Sequence, residues 1–322
     1  MTDAARGDVA LVGAVPAPDL HVMTYNIRRR LPTLLPDSPD RWATRAPLLR
    51  RLLATEQPTL LGVQEALSDQ VDVVADALGP HYRWVGLGRM ADGKDEVNPV
   101  FYDSRRLNLT DWRQWALSAT PETPGSRSWG NLVRRVVVSA DFTDIATGTR
   151  VLAFNTHFDH LSWRSRLTSA TFLLDKVRMA RAAEPDATIV VTGDFNAKTD
   201  SAVYRRLTAD GALRDTWMVA DEQLTPQWGT ISHYRPRRRG GARIDFVLVG
   251  PGVQVQSVGI NAVRFDGRAT SDHEPVQAVL RLAPVVEPGP KVEPGPKVEP
   301  GPKVEPDSKV EPGPSPTAGQ SG

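Results

Sequence analysis

The segment Ala187-Thr-Ile-Val-Val-Thr-Gly-Asp194-Phe-Asn196 ends a short β-branched run with a carboxylate and a carboxamide two residues apart. Side chains at period two along an extended chain face the same way, so Asp194 and Asn196 address one spot. A carboxylate can hold a metal ion or take a proton from water. A carboxamide can donate to a charged oxygen without adding charge. A strand running into an Asx turn would use the same residues with no chemistry at all. The pattern gains weight because it recurs. Asn26, Glu65, Asn155-Thr-His157-Phe-Asp159, Asp245 and Asp272-His273 all lie at or just beyond apolar runs. Taken singly, Asn26 reads as a turn former, Glu65 as a residue near a helix start, and His157 or His273 as structural imidazoles. Asp245, inside Ile-Asp-Phe-Val, is harder to dismiss, since a lone acid in a buried strand must be paired. If these strands are neighbours, their ends form one rim with several acids, two histidines and amides. Oxygen-rich clusters of this kind, with few imidazoles, suit Mg²⁺, Mn²⁺ or Ca²⁺ better than zinc. A hard cation beside a carboxylate and a histidine is what phosphoryl hydrolysis needs.

The elements that must position these residues follow from hydrophobic periodicity. Strands are predicted at His21–Asn26, Thr59–Glu65, Tyr82–Leu87, Pro99–Tyr102, Val133–Phe142, Val151–His157, Ile244–Val249, Val253–Val263 and Val276–Leu282, besides the Ile189–Val191 run. Helices are predicted at Arg41–Glu56, Ser68–Leu78 with Ser68 as N-cap, Ser162–Ala183 and Ser201–Leu207. Trp112–Gly130 and Thr216–Gly241 read as irregular. Strands alternating with helices, together with hairpin-like pairs, imply an α/β domain with mixed sheets. That domain covers residues 21–283. Residues 1–20 read as a flexible N-terminal arm, and residues 284–322 as a disordered Pro/Gly-rich tail. In the tail Val286-Glu-Pro-Gly-Pro-Lys291 repeats from Val292 and Val298 and then decays. Pro and Gly at this density deny it a packed core, and the expected form is an extended spacer.

Composition narrows the class. The chain of 322 residues carries a net charge of +1, so no global field selects nucleic acid or an anionic membrane. With no cysteine, disulfides, thiolate metal sites and a cysteine nucleophile are excluded. No run of about 18 apolar residues suggests a membrane span. The early residues lack the pattern of a signal peptide, and the expected location is the cytoplasm. No obligate protein partner is evident.

In order, Tyr25-Asn26-Ile27, Gln64-Glu65, Asn155-Thr-His157-Phe-Asp159-His160, Gly193-Asp194-Phe-Asn196, Arg243-Ile-Asp245-Phe and Ser271-Asp272-His273-Glu-Pro275 resemble the endonuclease/exonuclease/phosphatase (DNase I-like) superfamily, and a bacterial branch of it with largely unassigned substrates. The resemblance spans residues 21–283. It implies a four-layer α-β-β-α sandwich of two mixed sheets flanked by helices. It also implies that Glu65 is the main Mg²⁺ ligand, with Asn26 and Asp272 close to the metal. Asp194 would orient or activate water, and Asn196 and His157 would contact the scissile phosphate. His273 would work beside them, oriented by Asp245. Glu96 matches the acid that pairs with the first histidine and is assigned to support His157, with Asp159 of the same motif as a second supporting residue.

The departures from the superfamily narrow the choice. Arg28 stands where abasic-site endonucleases usually carry an acid. The Gly-Asp-Leu-Asn-Tyr-Arg and Trp-Cys-Asp-Arg motifs of inositide 5-phosphatases are replaced by Asp194-Phe-Asn-Ala-Lys and Ala242-Arg-Ile-Asp245. Arg28, Arg135 and Arg166 are candidate ligands for a substrate phosphate. Arg235–Arg239, with Trp228 and Tyr234, reads either as a nucleic-acid clamp or as solvated loop charge. The expected activity is Mg²⁺-dependent phosphodiester hydrolysis, with nucleic acid among the candidate substrates and Mn²⁺ as an alternative metal. A phosphomonoesterase, a lipid phosphodiesterase and a catalytically silent binding module are the rival readings.

Overall fold

The structure, a computed structural model, describes residues 9–32, 35 and 37–283. The predicted tail at 284–322 lies outside the described residues. Thirteen strands among the described residues form two sheets. The first sheet holds β1 (Asp19–Asn26), β2 (Leu60–Gln64), β3 (Tyr82–Val85), β4 (Val100–Asp103), β10 (Glu222–Gln223), β12 (Gln254–Ile260) and β13 (Val276–Arg281). Its order is β10-β12-β13-β1-β2-β4-β3. The second holds β5 (Leu107–Ala116), β6 (Val136–Asp144), β7 (Arg150–His157), β8 (Thr188–Asp194), β9 (Arg214–Asp215) and β11 (Asp245–Val249), in the order β5-β6-β7-β8-β11-β9. Both sheets are mixed: β1 runs parallel to β2 and β7 parallel to β8, while most other pairs are antiparallel.

Alternation along the strands builds three apolar layers, which is why the helices fall outside the sheets. In β1, Leu20 and Val22 face the second sheet and pack with Val138, Ala140, Val190 and Val247. Met23 and Tyr25 point the other way, onto α1 (Trp42–Glu56) and α2 (Ser68–Leu78) through Leu49, Leu53, Val71 and Val74. In β8, Val190 faces the first sheet, whereas Ile189 and Val191 meet α3 (Trp163–Ala183) and α4 (Ala202–Thr208) through Leu173, Leu174, Val177 and Val203. Central strands buried on both faces read as continuous apolar runs, as these do. The result is the expected four-layer α-β-β-α sandwich.

Several boundaries differ from the predicted ones for local reasons. Residues 107–116 form β5, although the Trp112–Gly130 stretch reads as irregular. This is an edge strand whose pairing with β6 shifts register between Leu109 and Asp111, so its alternation is broken. The loop predicted at Thr216–Gly241 opens on the short helix α5 (Thr216–Val219) and includes β10. At the start of α2 the capping position is Leu67, not Ser68: the Gln70 side chain accepts from the Leu67 N–H at 3.3 Å. The predicted flexible arm at 1–20 is tied down in its described part. Backbone N–H groups of Leu11, Val12 and Gly13 donate to the Glu56 carboxylate at 2.8–3.2 Å, and Asp19 and Leu20 already belong to β1. A carboxylate that accepts three successive N–H groups turns a Gly/Pro-rich sequence into a fixed segment.

His21, fully buried in β1, lies under this segment and donates from Nδ1 to the Gly13 carbonyl at 2.8 Å. Burial depresses its pKa to about 4 against the hydrogen bond that favours the charged form. Between pH 6.5 and 4 the unfolded chain therefore binds a proton that the folded chain does not, and stability falls as pH falls through that window. The full loss is about 3 kcal/mol, complete below the folded pKa. Urea unfolding from pH 7 to 4 is expected to show this loss, and His21→Gln is expected to flatten it.

Gly62 marks where the sheets come closest behind the strand ends. A Cβ there would lie 2.1 Å from Thr192 Oγ1 and 2.6 Å from Asn155 Oδ1. Gly62→Ala is expected to cost about 1–3 kcal/mol through overpacking, read as a lowered urea midpoint at unchanged slope, with activity falling in the folded fraction.

Candidate active site

The carboxyl ends of β1, β2, β7 and β8 and the start of β11 meet at one edge of the sandwich. Asn26 ends β1, His157 ends β7, Asp194 ends β8 and Asp245 opens β11. Parallel pairing places His157 beside Asp194, and antiparallel pairing places Asp245 on its other side. Glu65 follows β2 with φ at 63°, and Asn196 follows β8 with φ at 47°. Left-handed backbone at two non-glycine residues costs energy and recurs where side chains must be re-aimed at a site. Here it turns both toward the cavity. Asp272 and His273 arrive from the loop before β13, fixed by the Ser271 hydroxyl, which donates to the Asn26 carbonyl at 2.7 Å.

Asp194 is the centre of the group. The Asn26 amide donates to Asp194 Oδ2 at 3.0 Å, and the Asn196 backbone N–H donates to Oδ1 at 2.9 Å. His157 Nε2 and His273 Nε2 lie 3.5 and 3.8 Å from Oδ2. Burial and the neighbouring Asp245 push the Asp194 carboxyl up to about 7, well above the ordinary carboxylate value, against the nearby His273 charge and two donors.

The two imidazoles are equally enclosed but oppositely disposed. Burial holds the pKa of His157 well below the ordinary value, reinforced by Arg135 and His273. Arg135 donates to its Nδ1 at 2.9 Å, and the Asn196 amide nitrogen stands 3.0 Å from Nε2. Arg135 can only donate, so Nδ1 is unprotonated and the neutral ring carries its one proton on Nε2. Burial also opposes charge on His273, but Asp245, Asp194 and Asp272 overcome it and raise its pKa well above the ordinary value. His273 Nδ1 donates to Asp245 Oδ2 at 3.0 Å, as expected for an acid that fixes the tautomer.

Carboxylates from Glu65 and Asp272 converge on Arg28, at 3.9 and 3.8 Å. The largest influence on Glu65 is burial, which favours its neutral form. The Asn26 amide, His273 and the Arg29 N–H outweigh it and hold Glu65 below its ordinary pKa. These oxygen donors, with no imidazole or sulfur among them, fit a hard divalent cation. Asp194, Asp245 and His273 also place ligand-capable atoms within 4.8 Å of one another. His273 Nδ1 is committed to Asp245, which leaves its Nε2 facing Asp194.

The structure revises several assignments. Asn26 Oδ1 accepts from the Arg28 N–H at 2.9 Å, and its nitrogen bridges Glu65 and Asp194. Glu96 does not touch His157. It reaches that ring through Arg135, whose guanidinium lies 3.6 Å from Glu96 Oε2. Asp159 caps the entry to α3, accepting from the N–H groups of Leu161 and Ser162 at 2.8 and 2.6 Å, and does not line the cavity. Arg166 donates to the Asp159 carbonyl and lines an adjoining cavity of about 310 Å³ that meets the site at Asn196. Arg28 and Arg135 do line the main cavity, of about 490 Å³. Arg29, which the sequence places in a basic run with Arg28 and Arg30 beside the Asn26 motif, lines it too, as do Arg89, His160 and His233, to which sequence reasoning gave no role. His233 and Tyr234 carry left-handed φ values of 52° and 64°, a local signature that a string of residue types does not display. Trp228 stacks with Arg237 and Arg239 and faces a separate cavity of about 400 Å³, away from the reacting groups.

The endonuclease/exonuclease/phosphatase family profile matches residues 23–273, which include every residue of this constellation. The chain belongs to that family. Among solved structures, an endonuclease/exonuclease/phosphatase from Bacteroides vulgatus is 30% identical, with a TM-score of 0.74 over 82% of this chain and 99% of that one. A Bacteroides thetaiotaomicron mannosyl-6-phosphatase is 28% identical, with a TM-score of 0.74 over 81% of this chain and 99% of that one. A second family protein from Bacteroides thetaiotaomicron is 27% identical, with the same TM-score over 81% and 94% of the two chains. No curated protein sequence matches. No described helix is long and apolar enough to cross a membrane.

Asp245→Asn tests the charge assignment. Proton NMR of the imidazoles is expected to show His273 protonated through neutral pH in the wild type and neutral in the variant, with His157 neutral in both.

Proposed function

We propose that the protein is a metal-assisted phosphoester hydrolase whose preferred substrate is a small phosphomonoester. The carrying observation is the position of Asp194 between a neutral and a charged histidine, within 3.5 and 3.8 Å of their Nε2 atoms. A carboxyl raised to about 7 is matched to accepting a proton from water near neutral pH. In this reading Asn26 and the Asn196 N–H orient Asp194. Arg135 keeps His157 as a neutral ring with its proton on Nε2, from which it donates to a phosphate oxygen. His273, charged and steadied by Asp245, donates to the phosphate or to the departing oxygen. These are donors and charges fixed on buried side chains, where such groups stabilise developing charge most effectively.

Glu65 and Asp272 would hold a divalent cation, with Asn26 positioning Glu65. Bound there, Mg²⁺ or Mn²⁺ supplies charge neutralisation at the phosphate oxygens. Arg28 balances the same acids in their present arrangement.

Three observations favour a small monoester over a nucleic-acid chain. The cavity is about 490 Å³ and no aromatic ring other than histidine lines it, so it offers no stacking platform for successive bases. Arg28 and Arg135, at the reacting end of it, suit a dianionic phosphate. The solved mannosyl-6-phosphatase, which matches over nearly its whole length, is named for a phosphomonoester.

Hydrolysis of p-nitrophenyl phosphate and bis-p-nitrophenyl phosphate with Mg²⁺, Mn²⁺ or EDTA tests this reading. Monoester cleavage that needs metal, and that drops by 100-fold or more in Asp194→Asn, is expected. Cleavage of the diester alone would replace the proposal with a phosphodiesterase.

A further inference from the structure

One end of the cavity is lined by charged groups of which the chemistry above uses only Arg135. Glu96 Oε1 accepts from Arg29 at 2.7 Å, and Glu96 Oε2 accepts from Arg89 at 2.6 Å. Asp95 accepts from Arg89 Nε at 2.9 Å and lies 3.6 Å from Arg29. Arg135 completes the group and is itself only 5% exposed. The three arginines come from three separate parts of the chain, so their meeting is a tertiary feature. Their loop is built to hold still: Gly88 N–H donates to the Gly93 carbonyl, Arg89 N–H to the Glu96 carbonyl, and Val97 N–H to the Ala66 carbonyl, at 2.7–3.0 Å.

The cluster has unused capacity. Arg29 bonds through its backbone N–H and Nη1, and Arg89 through its backbone N–H, Nε and Nη1, which leaves Nη2 of each, on residues that line the cavity, without a hydrogen bond among the described residues. Guanidinium N–H groups left over in a cavity wall are available to a ligand. Glu96 is only 5% exposed, yet each of its oxygens accepts one of the arginine bonds given above and has lone-pair capacity left. Donors and an acceptor side by side select for a group that both accepts and donates. A second phosphate or a carboxylate only accepts and would be repelled by Glu96. An alkyl or aryl group would leave their remaining capacity unused. Adjacent hydroxyls fit: each can accept from an arginine and donate to the carboxylate.

We propose that Arg29, Arg89, Arg135 and Glu96 form the subsite for the organic half of the substrate, and that this half is a polyol with neighbouring hydroxyls, such as a hexose ring. The assignment rests on the phosphomonoesterase reading for the catalytic part, and its test separates the two. Wild type, Arg89→Lys and Glu96→Gln are compared on a hexose 6-phosphate and on p-nitrophenyl phosphate, which share the reacting phosphate but not the polyol. Arg89→Lys keeps the charge and loses the double reach to Asp95 and Glu96, so it is the variant least disturbing to the fold.

The expected result is that the ratio of kcat/KM for the hexose phosphate over p-nitrophenyl phosphate falls tenfold or more in both variants, carried by KM. A ratio unchanged in both, with folded protein by circular dichroism, overturns the subsite. Saturation-transfer NMR with the free hexose gives a readout independent of turnover. Contact with the wild type and its loss in Arg89→Lys supports the subsite even if no monoester is cleaved, in which case only the catalytic reading fails. Equal contact in wild type and both variants, or none in the wild type, overturns the subsite while leaving hydrolysis of p-nitrophenyl phosphate to stand.

Discussion

The two sheets must keep one fixed offset, or the residues at their ends never meet. Asn155 enforces it. Its amide donates to the carbonyls of Val63, Asn98 and Pro99 at 2.8–3.2 Å, and its Oδ1 accepts from Gln64 at 2.7 Å and Thr192 at 3.1 Å. All of this is buried between the sheets, one turn of pleat behind His157 and Asp194. An apolar interface slides at little cost, whereas a saturated polar one has a single satisfied arrangement. Gly62 is the steric counterpart, since any side chain there would occupy the space of Thr192 and Asn155.

That offset explains how two histidines in one pocket hold opposite charge states. Both are buried, so burial alone would neutralise both. What differs is the neighbour that the topology supplies. His157 comes from β7, whose other neighbour, β6, is preceded directly by Arg135. His273 comes from the loop before β13 and meets Asp245, carried by β11 next to β8. Close opposite or like charges shift a buried group by as much as burial does, which lets partner identity decide the outcome. Asp194 lies between the two rings and is itself raised, so the site contains a proton acceptor and a proton donor side by side at neutral pH.

The arginines show how a family scaffold acquires its own character. Arg28 stands among acids, Arg135 stands on the first histidine, and Arg29 and Arg89 gather on Glu96. In each case a cation is held within 4 Å of a carboxylate in the cavity wall. The Glu96 that sequence reasoning paired with His157 is therefore one contact removed from it, and the intervening arginine links the reacting end of the cavity to the end that would receive the rest of the substrate.

The strand-end residues were legible in the sequence because period and burial are local. Apolar, β-branched runs of five to eight residues bounded by turn formers read as central strands, and Asn26, Glu65, His157, Asp194 and Asp245 stand at or beside their ends. The motifs around them named the family, and with it the four layers. β5 was not legible, because a bulged edge strand with charged outward residues has no clean alternation. Nor was the anchoring of residues 11–13, which depends on Glu56 more than forty residues away. The same limit applies to the roles of Asn26, Glu96, Asp159 and the arginines. Sequence determined which groups were available at the rim. Only the tertiary structure decided which donor faced which acceptor, because charge state and hydrogen-bond partnership are set by distances of about 3 Å between residues far apart in the chain.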